Sequence, residues 1–296
     1  MSPIKLGTAP DSWGVWFPDD PQQVPWTRFL DELVEAQYHW VELGPHGYLP
    51  TDAETLRGEV ESRGLEVSGA GVFGGLHNPT KYEADLADAR RVSDLVSQVG
   101  GRYLIYLPDG YTNLEGDIVG PTSLTNEEWS LLTSRMNTVG KIVLEEFGVH
   151  LVFHSHADSH VGTEEEIARL LNDTDDRYVN LCLDTGHVAY CGGDNLRVIE
   201  QWGPRVKYVH LKQVDPDILR EVREEKLGFA PAVRRGVMCE PPRGIPDMPP
   251  LVAALEQLES PLFAIVEQDM YACPMDAPLP IATRTRQYFN SCGVFS

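Results

Sequence analysis

The stretch 150-HLVFHSHADSHVGTEEEIARLL-171 holds one complete structural unit. Residues 150–155 read as a short buried strand that becomes rich in imidazole where it ends. Thr163 and Glu166 stand at capping-box spacing, where the hydroxyl can accept the third amide proton and the carboxylate can reach back to the cap's own N–H. Residues 164–173 then carry the apolar spacing of a helix. Strand, polar loop, capped helix: this is the half-turn from which parallel sheets are built.

The unit recurs in both directions along the chain. Candidate strands are 4–9, 38–43, 65–72, 102–107, 150–155, 178–184, 206–212 and 262–267. Helical patterns lie near 25–37, 52–63, 80–99, 126–147, 164–173, 194–202, 248–259 and 280–291. Besides Thr163/Glu166, the pairs Thr51/Glu54, Thr80/Glu83 and Thr125/Glu128 also have capping-box spacing. Eight strands, each followed by a helix, predict an α/β fold, a (β/α)8 TIM barrel forming one domain over residues 1–296. One connection breaks the rhythm. Residues 213–247 separate strand seven from its helix, too long for an ordinary turn. The insert is expected to hold a helix at 216–226 and to return through 240–250 as a lid across the barrel mouth.

Composition excludes several functions. The 296 residues carry 45 acidic and 24 basic side chains, a formal charge of −21, which repels phosphate backbones and argues against nucleic-acid binding. No apolar run approaches the ~20 residues of a membrane span. The start, MSPIKLGTAPDSWGVW, lacks a basic region followed by an apolar stretch, so no signal peptide is expected. Five cysteines without CxxC spacing fit reduced thiols, and a cytoplasmic location is the expectation.

In such a barrel, chemistry sits where the strands end. Strand one delivers Asp11, Ser12 and Trp13; strand two Glu42 and His46; strand three His77; strand four Tyr106 and Asp109. Strand five delivers His154, His156 and Asp158; strand six Asp184 and His187; strand seven His210 and Lys212; strand eight Glu267 and Asp269. The set His154, Asp184, His210 and Glu267 predicts a divalent-metal site, because burying these groups together without a cation would cost several kcal/mol. Imidazole with carboxylate suits Mn²⁺, Co²⁺, Fe²⁺ or Zn²⁺ better than a hard, oxygen-only ion. Other residues have plainer readings. His46 and His77 could be satisfied polar groups, Asp158 and Asp269 could cap turns, Trp13 and Trp16 could pack the core or lid, and Lys212 could be a charge partner for Glu267 or Asp184.

The motifs 184-DTGH-187, 209-VHLKQVD-215 and 266-VEQDMY-271, with APDSWGVW near the start and VELGPHGYLP at strand two, resemble the xylose isomerase-like TIM barrel superfamily of sugar phosphate isomerases and epimerases. Within it the chain is most similar to the inosose dehydratase group of inositol catabolism, over residues 5 to about 290. The resemblance implies one divalent metal ion, Mn²⁺ or Co²⁺ foremost with Mg²⁺, Fe²⁺ or Zn²⁺ as alternatives, held by Asp184, His210, Glu267 and one strand-five group. Many relatives end strand five in Glu-Pro-His, whereas this chain has 154-HSH-156. His154 therefore stands where a glutamate would be, and His156 on the family histidine; both can face the barrel axis, and His154 is the preferred ligand.

The expected activity is a metal-dependent lyase, a dehydratase acting on a cyclic keto-polyol such as 2-keto-myo-inositol or a 3-keto sugar. It would abstract the α-proton and eliminate through a stabilised enediolate. Glu267 would serve as ligand and base, His156 or His187 as acid, and Lys212 as a contact to substrate oxygens. Trp13, Glu42, His77, His187 and Lys212 would line the substrate, and Arg235 or Arg243 would close the site. The same metal site could instead run a keto-sugar isomerase or epimerase, or a lyase releasing the aglycone of a 3-keto glycoside. An endonuclease of this superfamily would need more metals and a basic face. A homodimer or homotetramer is compatible with the fold.

Overall fold

A computed structural model of the protein describes residues 4–258 and 261–294. Eight parallel strands close on themselves: Ile4–Thr8, Trp40–Glu42, Glu66–Gly74, Tyr103–Pro108, His150–His154, Val179–Asp184, Val206–Leu211 and Leu262–Val266. Their order around the barrel is their order in the chain, and the eighth pairs with the first from Ile4↔Leu262 to Thr8↔Val266. Closure leaves no unpaired sheet edge. Every strand boundary falls within two residues of the sequence expectation.

Alternation along the strands separates two cores. Trp40, Ile105, Val152, Cys182, Tyr208, Phe263 and Ile265 form one buried cluster, which fills the barrel interior. Their neighbours of opposite parity, such as Val41, Leu151, Leu181, Val209 and Ala264, join the larger cluster between sheet and helices. Helices Trp26–Glu35, Ala53–Glu61, Tyr82–Gln98, Asn126–Phe147, Glu164–Asp173, Asn195–Trp202, Met248–Leu255 and Pro278–Ser291 ring the sheet.

Capping follows the sequence expectation at two of four helices. Thr125/Glu128 and Thr163/Glu166 form reciprocal capping boxes. At Ala53–Glu61 the cap is Asp52 rather than Thr51, because the Asp52 carboxylate accepts from the amide and hydroxyl of Thr55. Thr80 is drawn the other way. Its amide and hydroxyl both donate to Asn78 Oδ1, and the helix starts two residues later without a side-chain cap.

The insert is a small folded unit. Gln213–Val214 pairs antiparallel with Met238–Cys239, and helices Pro216–Glu225 and Phe229–Arg234 lie between them. Val214, Leu219, Val222, Ala232, Val233 and Met238 give it a core of its own. None of residues 240–250, where a lid is expected, lines the mouth cavity. Ile245 exchanges both backbone hydrogen bonds with Val214, at 2.9 Å each, which holds the tail against the ribbon. A Cβ on Gly244 would meet the Val214 carbonyl oxygen at 2.4 Å, so this close return needs glycine. It is the helix Phe229–Arg234 that reaches the barrel mouth. No described helix is long and apolar enough to cross a membrane.

Candidate metal centre and active-site cavity

The site follows from strand parity. Trp40, Val152, Cys182, Tyr208 and Ile265 point into the barrel, so Glu42, His154, Asp184, His210 and Glu267, each two residues further on, do the same one layer higher. His154, Asp184, His210 and Glu267 offer ligand atoms that all lie within 4.8 Å of one another, and all four residues are buried. Metal–ligand bonds of about 2.0–2.2 Å nearly span that separation. His154 Nε2 is 3.3 Å, and His210 Nδ1 3.7 Å, from Asp184 Oδ2. His210 Nδ1 is also 2.9 Å from Glu267 Oε2, yet outside hydrogen-bond geometry. Together with His154 Nδ1 and His187 Nε2, it is a buried ring nitrogen without a hydrogen-bond partner. Buried polar atoms are seldom left so. The residues present therefore fit one divalent cation.

Each of these groups is held from behind. Asp184 Oδ1 accepts from the amides of Gly186 and His187, both at 2.8 Å, capping the short helix Thr185–Tyr190 and leaving Oδ2 for the centre. This is the physical content of Asp-Thr-Gly-His. Thr185 contributes a second anchor, since its hydroxyl donates to the Lys212 carbonyl and accepts from the Lys212 amide. His210 Nε2 lies 2.9 Å from Glu42 Oε2, a carboxylate–imidazole pair that fixes the ring and directs Nδ1 inward.

Lys212 is only 2% exposed, and its Nζ lies 2.9 Å from Asp269 and 3.2 Å from both Asp184 and Glu267. Burial disfavours its charge, but Asp184, Asp269 and Glu267 outweigh that and raise its pKa above the usual lysine range. For Glu267 burial pushes the carboxyl up, and His210 with Lys212 overcome it, bringing it down to about 2. At neutral pH both groups are ionised.

His156 and His187 lie in contact beside the centre, ring centroids 3.9 Å apart and planes tilted by 36°. The Ala157 amide donates to His187 Nδ1 at 3.2 Å, so a neutral His187 carries its proton on Nε2. His156 Nδ1 lies 2.6 Å from the Ala157 carbonyl oxygen and must donate to it, which leaves the His156 Nε2 lone pair free. Burial, then the neighbouring His154, pull His156 down to about 3. One residue, Ala157, thus sets opposite tautomers on two adjacent imidazoles.

Above this floor opens a cavity of about 750 Å³. Glu42, His154, His156, His187, His210, Lys212 and Glu267 line it. Two expected substrate contacts are not there. Trp13 is fully buried; its Nε1 donates to Glu32 at 2.7 Å and its ring packs edge-on against Phe29, so it belongs to the core. His77 pairs edge-on with His160, 4.9 Å between ring centroids, outside the cavity lining. Arg235 pairs with Glu225 at 2.8 Å on the surface, and neither it nor Arg243 lines the cavity.

Residues 30–287 match the xylose isomerase-like TIM barrel family. The chain belongs to that family. An inosose dehydratase of Geobacillus thermodenitrificans (strain NG80-2) is 30% identical over 299 residues, covering 98% of both chains. A solved structure of the probable 3-DHS dehydratase AsbF of Bacillus anthracis, involved in petrobactin synthesis, is similar with a TM-score of 0.72 and 14% identity, over 97% of this chain and 98% of that one. The IOLI protein with a bound zinc atom is similar with a TM-score of 0.71 and 15% identity, over 99% of each chain. At such identities the structural likenesses speak to the fold alone.

Within this xylose isomerase-like barrel, the cavity also contains residues that sequence reasoning left without a role. Asp11 and Asp269 line it beside Lys212, and Trp16, Phe17, Phe73 and Phe229 form its outer wall. Asp269 was legible as a strand-eight end group. Phe229 was not, because it lies inside the insert and reaches the site only through a short helix.

Proposed function

We propose that the protein is a metal-dependent carbon–oxygen lyase that dehydrates a cyclic keto-polyol of the inosose type. The observation that carries this reading is the convergence of His154, Asp184, His210 and Glu267 at the floor of an open cavity, with Lys212 beside them. The full-length similarity to an inosose dehydratase supports the substrate class. A divalent ion in this donor set supplies Lewis-acid stabilisation of the negative charge that develops on the ketone oxygen.

The protein's own groups do the rest. Glu267, ionised, has a carboxylate oxygen available to take the α-proton. The Lys212 ammonium, fixed by Asp269, donates a hydrogen bond to the developing enolate oxygen. His187, kept neutral by burial, presents its Nε2–H as a hydrogen-bond donor to the departing hydroxyl, which leaves as water with the proton that Glu267 has taken up. Strand five ends in imidazole where an epimerase would place a second carboxylate; the floor is thereby suited to one proton abstraction followed by elimination. In the test, purified protein loaded with Mn²⁺ or Co²⁺ receives 2-keto-myo-inositol, and the reaction is followed for a conjugated enone in the ultraviolet. Conversion to an epimer without loss of water would overturn the proposal.

A further inference from the structure

All but one of the carboxyl groups that line the cavity are engaged. Glu42 lies 2.9 Å from His210 Nε2, Asp269 2.9 Å from Lys212 Nζ, and Asp88 2.7 Å from Arg91. Asp109 pairs with Lys81. Asp158 Oδ2 accepts from the Thr112 hydroxyl at 2.9 Å and from the Phe229 amide at 2.7 Å. Glu267 belongs to the convergent donor set. The exception is Asp11. Its Oδ2 is 4.0 Å from Lys212 Nζ, beyond hydrogen-bond reach. Among the described residues its carboxyl is offered one hydrogen bond, from the Ser12 hydroxyl at 3.5 Å. That hydroxyl also faces the Val266 carbonyl oxygen at 3.4 Å, and its single proton serves one acceptor at a time.

The backbone that carries Asp11 is nevertheless held on both sides. It lies in the turn Pro10–Trp13, whose other three side chains are buried. Ser12 Oγ accepts from the Gln268 amide at 2.9 Å, which fastens the turn to the end of strand eight. On the other flank Pro10 seats against Gly44, where a Cβ would meet Pro10 Cγ at 2.8 Å. The Asp11 side chain is only 17% exposed, and what exposure it has is to the cavity. A largely desolvated carboxyl fixed in this way costs free energy until a donor reaches it.

We propose that Asp11 is a specificity-determining residue, whose carboxyl accepts a hydrogen bond from a ring hydroxyl that the reaction does not remove. This rests on the keto-polyol reading above and adds the group that checks the ring's substitution. Lys212 Nζ and Asp11 Oδ2 form a donor and an acceptor side by side, 4.0 Å apart. A polyol ring brings the complementary pair: an oxygen that accepts from the ammonium and a nearby hydroxyl that donates to the carboxyl. A ring lacking that hydroxyl leaves Asp11 desolvated and unpaired, which is how a polar site rejects a deoxy analogue. Of the strand-one residues it is therefore Asp11, and not Trp13, that meets the substrate.

The test is a cycle of protein and substrate changes on the Mn²⁺-loaded protein. Wild type, Asp11→Ala and Asp11→Asn each receive 2-keto-myo-inositol and its 1-, 4- and 5-deoxy analogues, every one of which keeps a hydroxyl that can leave. Consumption of ketone and loss of water are followed by chromatography. On wild type, at least one analogue is expected to lose about 100-fold or more in kcat/KM relative to the parent. On Asp11→Ala that same analogue and the parent should react alike, and Asp11→Asn, which keeps an acceptor oxygen, should restore part of the preference. Mn²⁺ affinity and melting temperature of Asp11→Asn should match wild type, and this variant carries the test if Asp11→Ala does not fold. An equal loss for parent and all analogues in both variants, with the wild-type preference unchanged, would mean that Asp11 acts only through Lys212 and overturns the contact. A wild type indifferent to all three deletions overturns it too. Consumption of the parent without loss of water overturns the elimination instead, and the same ratios of consumption still decide the Asp11 contact.

Discussion

Glu42 Oε2 lies 2.9 Å from His210 Nε2, with both side chains buried, so the carboxylate on strand two orients an imidazole on strand seven across the barrel. The consequence is positional. His210 can present Nδ1 to the centre because its other nitrogen is engaged. Glu42→Gln is expected to lower metal affinity by about 10–100-fold, the usual cost of losing such an outer partner. Competition titration with a chromophoric chelator reads this out. Unchanged affinity would show that His210 is held by packing alone.

The two strand-five histidines separate by a similar measurement. His154 belongs to the convergent donor set and His156 does not. Ion binding to the folded state raises stability by about 2.7 kcal/mol when the free ion is at 100 times Kd. Adding Mn²⁺ to chelator-treated protein should therefore raise the melting temperature of wild type and His156→Ala, and leave His154→Ala nearly unmoved. The reverse pattern would exchange the two assignments.

Gly186 stands where a Cβ would lie 2.6 Å from Lys212 Cγ. Gly186→Ala is expected to cost about 1–3 kcal/mol in stability through overpacking. It should also displace the Lys212 ammonium from Asp184 and Glu267, dropping kcat by more than about tenfold, since a misplaced donor loses transition-state stabilisation. Urea denaturation and steady-state rates check the two effects separately. A stable, fully active variant would remove Lys212 from the mechanism.

His156 gives a pH prediction with a definite sign. Its pKa is pulled down to about 3 in the folded chain, against about 6.5 when unfolded. Between those values the unfolded state binds a proton that the folded state refuses. The stabilising contribution is thus complete above about pH 6.5 and is lost as pH falls toward 3, by at most about 1.4 kcal/mol per pH unit. Partial exposure of the ring keeps the effect below that ceiling. In metal-free protein, the urea midpoint of wild type should fall more between about pH 7 and pH 5 than that of His156→Asn. Equal falls would mean that His156 titrates normally.

Much of the site was legible because strand parity and strand ends are sequence properties. Val152, Cys182, Tyr208 and Ile265 mark the interior face, and the donors two residues later inherit it. What was not legible depended on tertiary competition. Trp13 and Trp16 are both large aromatics three residues apart, and only the packing of Phe29 and the Glu32 carboxylate draws Trp13 inward. That Glu42 also orients His210 was not legible, because nothing local announces that His210, 168 residues away, sits opposite. Thr51 and Thr80 had the right spacing for caps but lost to Asp52 and Asn78, stronger local acceptors one or two residues away.

Asp158 Oδ2 accepts from the Thr112 hydroxyl at 2.9 Å and from the Phe229 amide at 2.7 Å, so one carboxylate joins the 110–119 loop to the insert helix Phe229–Arg234. The chemistry is fixed in staves that cannot move without opening the sheet, whereas the aperture is set by a loop and an insert joined by this carboxylate and by the Arg234–Leu114 hydrogen bond. Loop 110–119 and the insert helix can therefore be exchanged as a pair, provided that the aspartate keeps its two donors, and new guests admitted without disturbing the furnace below.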